Sequence, residues 1–234
     1  MYQFILFIQP LTLLTIIYFI TLNRNEININ KYIIAIAIVS MWSYVLYSSG
    51  SSLVSQKWND TLSLLIASPT NLFSIILSKV LSNSLISLIS FFLTLLYAKF
   101  IFQFELEIIN FFSFTISILT LILSLSAIGI ILSVIFTVFK NVFNMQNIIL
   151  YPILMLSGVF YPISYFPFFL NYISYLLPMT WAIKSIYYSL ENGLFEPLSL
   201  SLSISISIIY FLLSYTIVKK LEKTLKIKGT IGVL

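Results

Sequence analysis

Residues 198–209 read LSLSLSISISII, and their reading decides the fold class. Apolar and polar side chains alternate strictly, which is the period of a half-buried strand. A transmembrane barrel needs that alternation in every spanning segment, and no other stretch of the chain alternates. A lone strand in hydrocarbon leaves its backbone donors and acceptors unpaired, whereas a helix pairs them within itself. Serine hydroxyls also bond back to carbonyls one turn earlier, so an apolar helix tolerates them. The stretch therefore predicts a helix over residues 198–218 and an all-α chain.

Composition places that helix in lipid. The chain has 234 residues, 60% of them hydrophobic and only 8% charged. A soluble domain averages about 25% charged residues. A hydrocarbon core of ~30 Å needs about 20 apolar residues per helical crossing. Reading outward from 198–218, the other predicted spans are residues 4–22, 32–54, 72–98, 111–139 and 148–160, six in all. The first is read as a retained span, because it has neither a basic leader nor a small-residue cleavage site. In the fourth, Ser113, Ser117, Thr120, Ser124 and Ala127 fall at spacings of three and four, a small-residue seam for helix packing. The fifth is short. Beyond it Pro162, Pro167 and Pro178 break the helix repeatedly. Residues 161–190 are accordingly expected to form an outer re-entrant segment of a turn and one or two short helices, covered by protein or lining a cavity. Residues 23–31, 99–110 and 140–147 are read as polar loops.

Several chemistries are excluded. Without cysteine or histidine the chain has no disulfide, no reactive thiol and no imidazole base or metal ligand. It has no GxxxxGK[ST] phosphate loop. Its acidic residues sit in loops or at span ends, which argues against a proton- or sodium-driven carrier. Of twelve basic residues, five lie between Lys219 and Lys228. The net charge of +5 thus reports a basic tail, residues 219–234, against anionic lipid rather than nucleic acid. With both termini cytoplasmic, eight basic residues face the cytoplasm and four face out. That orientation rests on the tail.

The stretch NDTLSLLIASPTNLFSIILSKVL, residues 59–81, is the second informative segment. Asn59, Asp60 or Thr61 is placed to cap a short helix. Leu62, Leu65 and Ile66 give it an apolar face. Ser68 and Pro69 stop it, because the residue before proline avoids helical dihedrals. Thr70 or Asn71 then caps the next span. The expected product is a short interfacial helix on which a soluble partner presses. An ordinary interfacial loop is the competing reading.

This segment resembles the signature of the type-2 ATP-binding-cassette (ABC) export permeases, a "GTLE-x-L-L-x-x-P" stretch after the second span. Thr61, Leu62, Leu64, Leu65, Ser68 and Pro69 match it. Residues 156–186, LSGVFYPISYFPFFLNYISYLLPMTWAIKSI, are similar to the family's second hallmark through Gly158, Pro162, Pro167, Leu177, Pro178 and Thr180. The tail KIKGTIG, residues 226–232, is similar to a terminal pattern of some members. Asp60 stands where the family has glycine, and Ser63 where it has glutamate.

The resemblance implies a non-enzymatic permease subunit in a dimer with a second copy or a paralogue. It implies a separate ABC ATPase subunit that carries ATP and Mg, with no cofactor bound by this chain. The ATPase-coupling segment would be residues 56–71, with Lys57, Asn59, Asp60, Thr61, Leu62, Leu65, Ser68 and Pro69. Lys140, Asn141 and Asn144 would form a second cytoplasmic contact. Trp42, Tyr44, Tyr47, Tyr151, Gly158, Phe160, Tyr161 and Pro162 are candidates to line a cavity or gate. A lipid-facing aromatic belt is their other reading. The expected activity is export of an amphipathic or hydrophobic substrate by alternating access. The expected location is a bacterial plasma membrane, with an organellar membrane as the alternative. A secondary carrier or channel without an ATPase, and a non-transporting assembly subunit, are the competing functions.

Overall fold

A computed structural model describes residues 2–23, 28–59, 61–68, 70–138 and 141–228. Asp60, Pro69 and Lys140, and the end of the tail from residue 229, lie outside the described residues. Every regular element among the described residues is helical. In chain order these are α1 (Tyr2–Asn23), α2 (Ile29–Gly50), α3 (Ser52–Trp58), α4 (Leu62–Ala67) and α5 (Leu72–Phe100). Then come α6 (Phe111–Val138), α7 (Val142–Leu156), a 3-10 turn (Ile163–Tyr165), α8 (Phe168–Leu176), α9 (Pro178–Asn192) and α10 (Pro197–Lys228). Five helical stretches are long and apolar enough to cross a membrane: Gln3–Leu22, Ile29–Trp58, Leu72–Phe100, Phe111–Thr137 and Pro197–Thr224. Helix α7 is apolar but shorter.

The alternating stretch is helical, and the geometry explains how. Four residues advance an α-helix by ~400°, so every second serine returns to nearly the same face. Ser199, Ser203 and Ser207 are buried together, while Ser201 and Ser205 are exposed. Ser203 and Ser207 of this set meet the small-residue seam of α6. The Ser124 hydroxyl lies 2.9 Å from that of Ser203 and 3.3 Å from that of Ser207. Higher on the seam, Ser117 meets Ser185 of α9 at 2.8 Å, and Ser113 donates to the Gly193 carbonyl at 3.4 Å. A period-two pattern has become a period-four stripe of interhelical hydrogen bonds.

Helix α2 is the centre of the bundle, buried at every residue from Ile33 to Gly50. It packs against α1, α5, α6 and α7. Gln9 of α1 donates to Ser43 at 3.0 Å. An apolar cluster marks one end and an ion pair the other. Leu53, Leu62, Leu72, Ile130 and Val218 pack together at the end that carries α3 and α4. At the other end, Lys31 at the start of α2 is ion-paired with Glu191 near the end of α9.

Two boundaries differ from the sequence reading. Residues 142–147 are helix rather than loop, because α7 begins at Val142. Val142, Gln146, Leu150 and Leu154 recur every four residues and are all buried. Of the polar residues that suggested a loop, Gln146 and Asn147 are interhelical contacts. Helix α10 also continues past residue 218 to Lys228, with Glu222 and Lys226 paired at 2.6 Å one turn apart.

Candidate functional site

The end that carries α3 and α4 contains the segment singled out for coupling. Helix α2 breaks at Gly50 and Ser51, and α3 continues from it. A Cβ on Gly50 would stand 2.6 Å from the Phe136 ring, so only glycine lets α2 approach α6 this closely. Thr61 occupies the N-cap position of α4, but its hydroxyl does not cap. It donates back to the Gln56 side chain at 2.5 Å, fastening α4 to α3. Ser68 ends α4 in an extended conformation, as the residue before a proline should. Asn71 precedes α5 without a side-chain cap bond, while Ser68 and Thr70 share a 2.7 Å hydrogen bond. Leu62 is buried in the cluster described above, and Leu64 points outward at 70% exposed.

The second predicted contact lies beside the first. Asn141 and Asn144 are exposed at the start of α7. Trp58 of α3 meets Phe143 of α7 with ring centroids 5.9 Å apart. Behind this pair, α7 is bonded to α2 by a ladder of side chains. Gln146 donates to the Leu46 carbonyl at 3.3 Å and to the Ser51 hydroxyl at 2.9 Å, at the break itself. Tyr47 donates to Asn147, and the Trp42 indole donates to the Leu150 carbonyl at 3.3 Å.

The opposite end contains a cavity of about 1050 Å³. It lies between the first turns of α2, the turn after α7 and one face of α9. Gly158 makes that turn with φ of +77°, a left-handed conformation that favours glycine. Tyr187 donates to the Val159 carbonyl and holds the turn against α9. Tyr175 and Trp181 stack at 5.2 Å on the cavity wall. Lys31, Lys184 and Glu191 line it as well. Just beyond, Glu196 accepts from Ser199 and pairs with Lys184 at 3.1 Å. Partial burial pushes the Glu196 carboxyl up, but the Ser199 hydrogen bond and Lys184 outweigh it and hold the group below its ordinary value.

The eight candidate cavity residues divide. Gly158, Phe160, Tyr161 and Pro162 line this cavity. Trp42, Tyr44 and Tyr47 are buried in the core around α2, and Tyr151 is exposed on α7. Gln146, Lys31, Lys184, Glu191 and Thr180 do not stand out in the sequence as cavity or coupling residues. Gln146 had one available signal, its four-residue spacing with Val142, Leu150 and Leu154. Among the described residues no group of three or more acidic side chains could hold a metal.

Comparison with curated proteins gives no match. The family profile of the ABC-2 type transporter matches residues 1–190, a range that takes in both the α3–α4 end and most of the residues that line the cavity. With so much of the chain covered, and an all-helical bundle built around those two ends, the protein belongs to the ABC-2 type transporter family.

Proposed function

We propose that the chain is the transmembrane permease subunit of an ATP-driven exporter. A separate ABC ATPase subunit, which carries ATP and Mg, docks on the end formed by α3, α4 and the start of α7. Two such permease chains, identical or paralogous, form the membrane dimer. The observation that carries this reading is the Trp58–Phe143 contact at 5.9 Å. It makes one surface of two segments that are distant in sequence, and that surface leads into α2 through the Gln146 clamp on Ser51. A push on α4 would pass along α3 to the break in α2 and across to α7. Coupling of this kind needs only a rigid path between packed helices, with no chemistry in the chain.

In this reading α7 is the fifth of six crossings. The 3-10 turn, α8 and α9 form the outer re-entrant segment. The lysine distribution supports cytoplasmic termini. The substrate is amphipathic or hydrophobic, consistent with the largely apolar bundle.

The test is co-expression with the candidate ATPase subunit and measurement of ATP hydrolysis in proteoliposomes. Leu64→Glu places a charge on an exposed position of α4 and leaves the buried Leu62 in place. The expected outcome is a bundle of unchanged stability that no longer retains the ATPase through purification. Retention and hydrolysis at the original level would remove the α3–α4 end from the coupling path.

A further inference from the structure

Helix α10 reaches further than a crossing requires. Residues 197–218 carry no charge. At 1.5 Å per residue they span about 33 Å, one hydrocarbon core of ~30 Å. The helix then continues to Lys228 without proline or glycine to bend it. Lys219 and Lys220 therefore stand in the first head-group layer, and Lys223 one turn beyond.

These three lysines are exposed, and none has an acidic partner among the described residues. Glu222, the acid between them, is held by Lys226 at 2.6 Å. At about 100° per residue, Lys219, Lys220 and Lys223 fall within one arc of about 100°, and Val218 and Leu221 fall on the opposite side. Val218 is buried with Leu62 of α4 and Leu72 of α5, and Leu221 packs on the same cluster. The lysines thus face away from the bundle. The Lys219 ammonium lies 5.7 Å from the centre of the Tyr215 ring, one turn back toward the hydrocarbon, and Tyr215 meets Phe73 of α5 edge-on at 5.3 Å. That contact turns the charge toward the bilayer rather than into open water. Like charges three and four residues apart repel, so this face is completed by anions.

We propose that Lys219, Lys220 and Lys223 form a site for anionic lipid head groups of the cytoplasmic leaflet, and that lipid held there fixes α10 as the support on which α4 rests. The cytoplasmic placement rests on the exporter reading above; the attraction for anionic lipid does not. Val218 and Leu221 join the two elements, so an α10 end held by the leaflet restrains α4.

The experiment uses the full chain in phosphatidylcholine vesicles. Thr224→Cys, at an exposed position, carries a donor dye in a chain without other cysteines. Trace phosphatidylglycerol or phosphatidylcholine is added, each with the same acceptor on its acyl chain. Energy transfer should be greater to phosphatidylglycerol, and salt should reduce the difference. Lys219→Gln, Lys220→Gln and Lys223→Gln should each lower the preference about fivefold, and the triple variant should lose it. Glu222→Gln frees Lys226 and should raise it. A spin label at Leu64→Cys then reports on α4. It should move less when phosphatidylglycerol replaces part of the phosphatidylcholine, and the triple variant should lose that response. Equal transfer to both lipids, or a preference that the triple variant keeps, overturns the site. A lipid preference with an α4 label indifferent to lipid overturns the link to α4. Equal transfer together with loss of the ATPase subunit from the triple variant would overturn the lipid site and assign the lysines to an acidic face of that subunit. The dye and spin-label readouts need no ATPase, so they fail or succeed separately from the exporter reading.

Discussion

At the scale of single residues, the centre of the molecule is held by a few polar groups in an apolar bundle. The Trp42 indole spends its donor on the Leu150 carbonyl. Trp42→Phe keeps most of the ring volume and loses that bond. The expected cost is about 1 kcal/mol, read as an earlier thermal or denaturant midpoint in detergent. Gly50 makes the opposite case, where an added group is the problem. Gly50→Ala drives a methyl into the Phe136 ring, with an expected cost of about 1–3 kcal/mol. Phe136→Leu should relieve part of that cost in the double variant, and two costs that simply add would show that the clash is not the cause.

At the scale of elements, the joint between α9 and α10 is set by Glu196. Its carboxyl titrates below the ordinary glutamate value because Ser199 and Lys184 favour the charged form. The folded state therefore holds its protons less tightly than the unfolded chain. The stabilisation is complete above the unfolded glutamate pKa and is lost as pH falls through the lower folded value. The melting temperature of the original chain should drop across that acidic window, and Glu196→Gln should flatten the drop. An equal drop in both chains would assign the acid sensitivity elsewhere. The serine stripe of α10 belongs to the same scale. Its two-residue alternation was visible in the sequence, and so was the α6 seam, but the pairing of Ser124 with Ser203 required both helices in place.

At the scale of the whole molecule, the α3–α4 end and the cavity lie at opposite poles of the bundle. The absence of cysteine allows single-cysteine labelling without background. Asn59→Cys and Asn144→Cys, both at exposed positions, should react with a membrane-impermeant maleimide from one side of the membrane. Ser164→Cys, at an exposed position on the cavity rim, should react from the other. Labelling of all three from a single side would refute the architecture. Asn59 and Asn144 reacting from outside would refute the exporter orientation and leave the fold intact.

Composition and hydrogen-bond satisfaction alone determined that this chain is a bundle of helices in lipid. Eight per cent charge cannot cover a soluble surface, and backbone groups in hydrocarbon must pair within a helix or a closed barrel. The breaks at Ser68 and Gly158 were legible too, because proline and glycine act locally on the backbone. The position of the start of α7, the Gln146 clamp and the packing of α10 on α4 were decided only by tertiary structure. A polar residue in an apolar chain has one sequence signature, whether it faces water, a neighbouring helix or a cavity. What surrounds it is fixed by which helices pack against it, and that is a property of the assembled bundle.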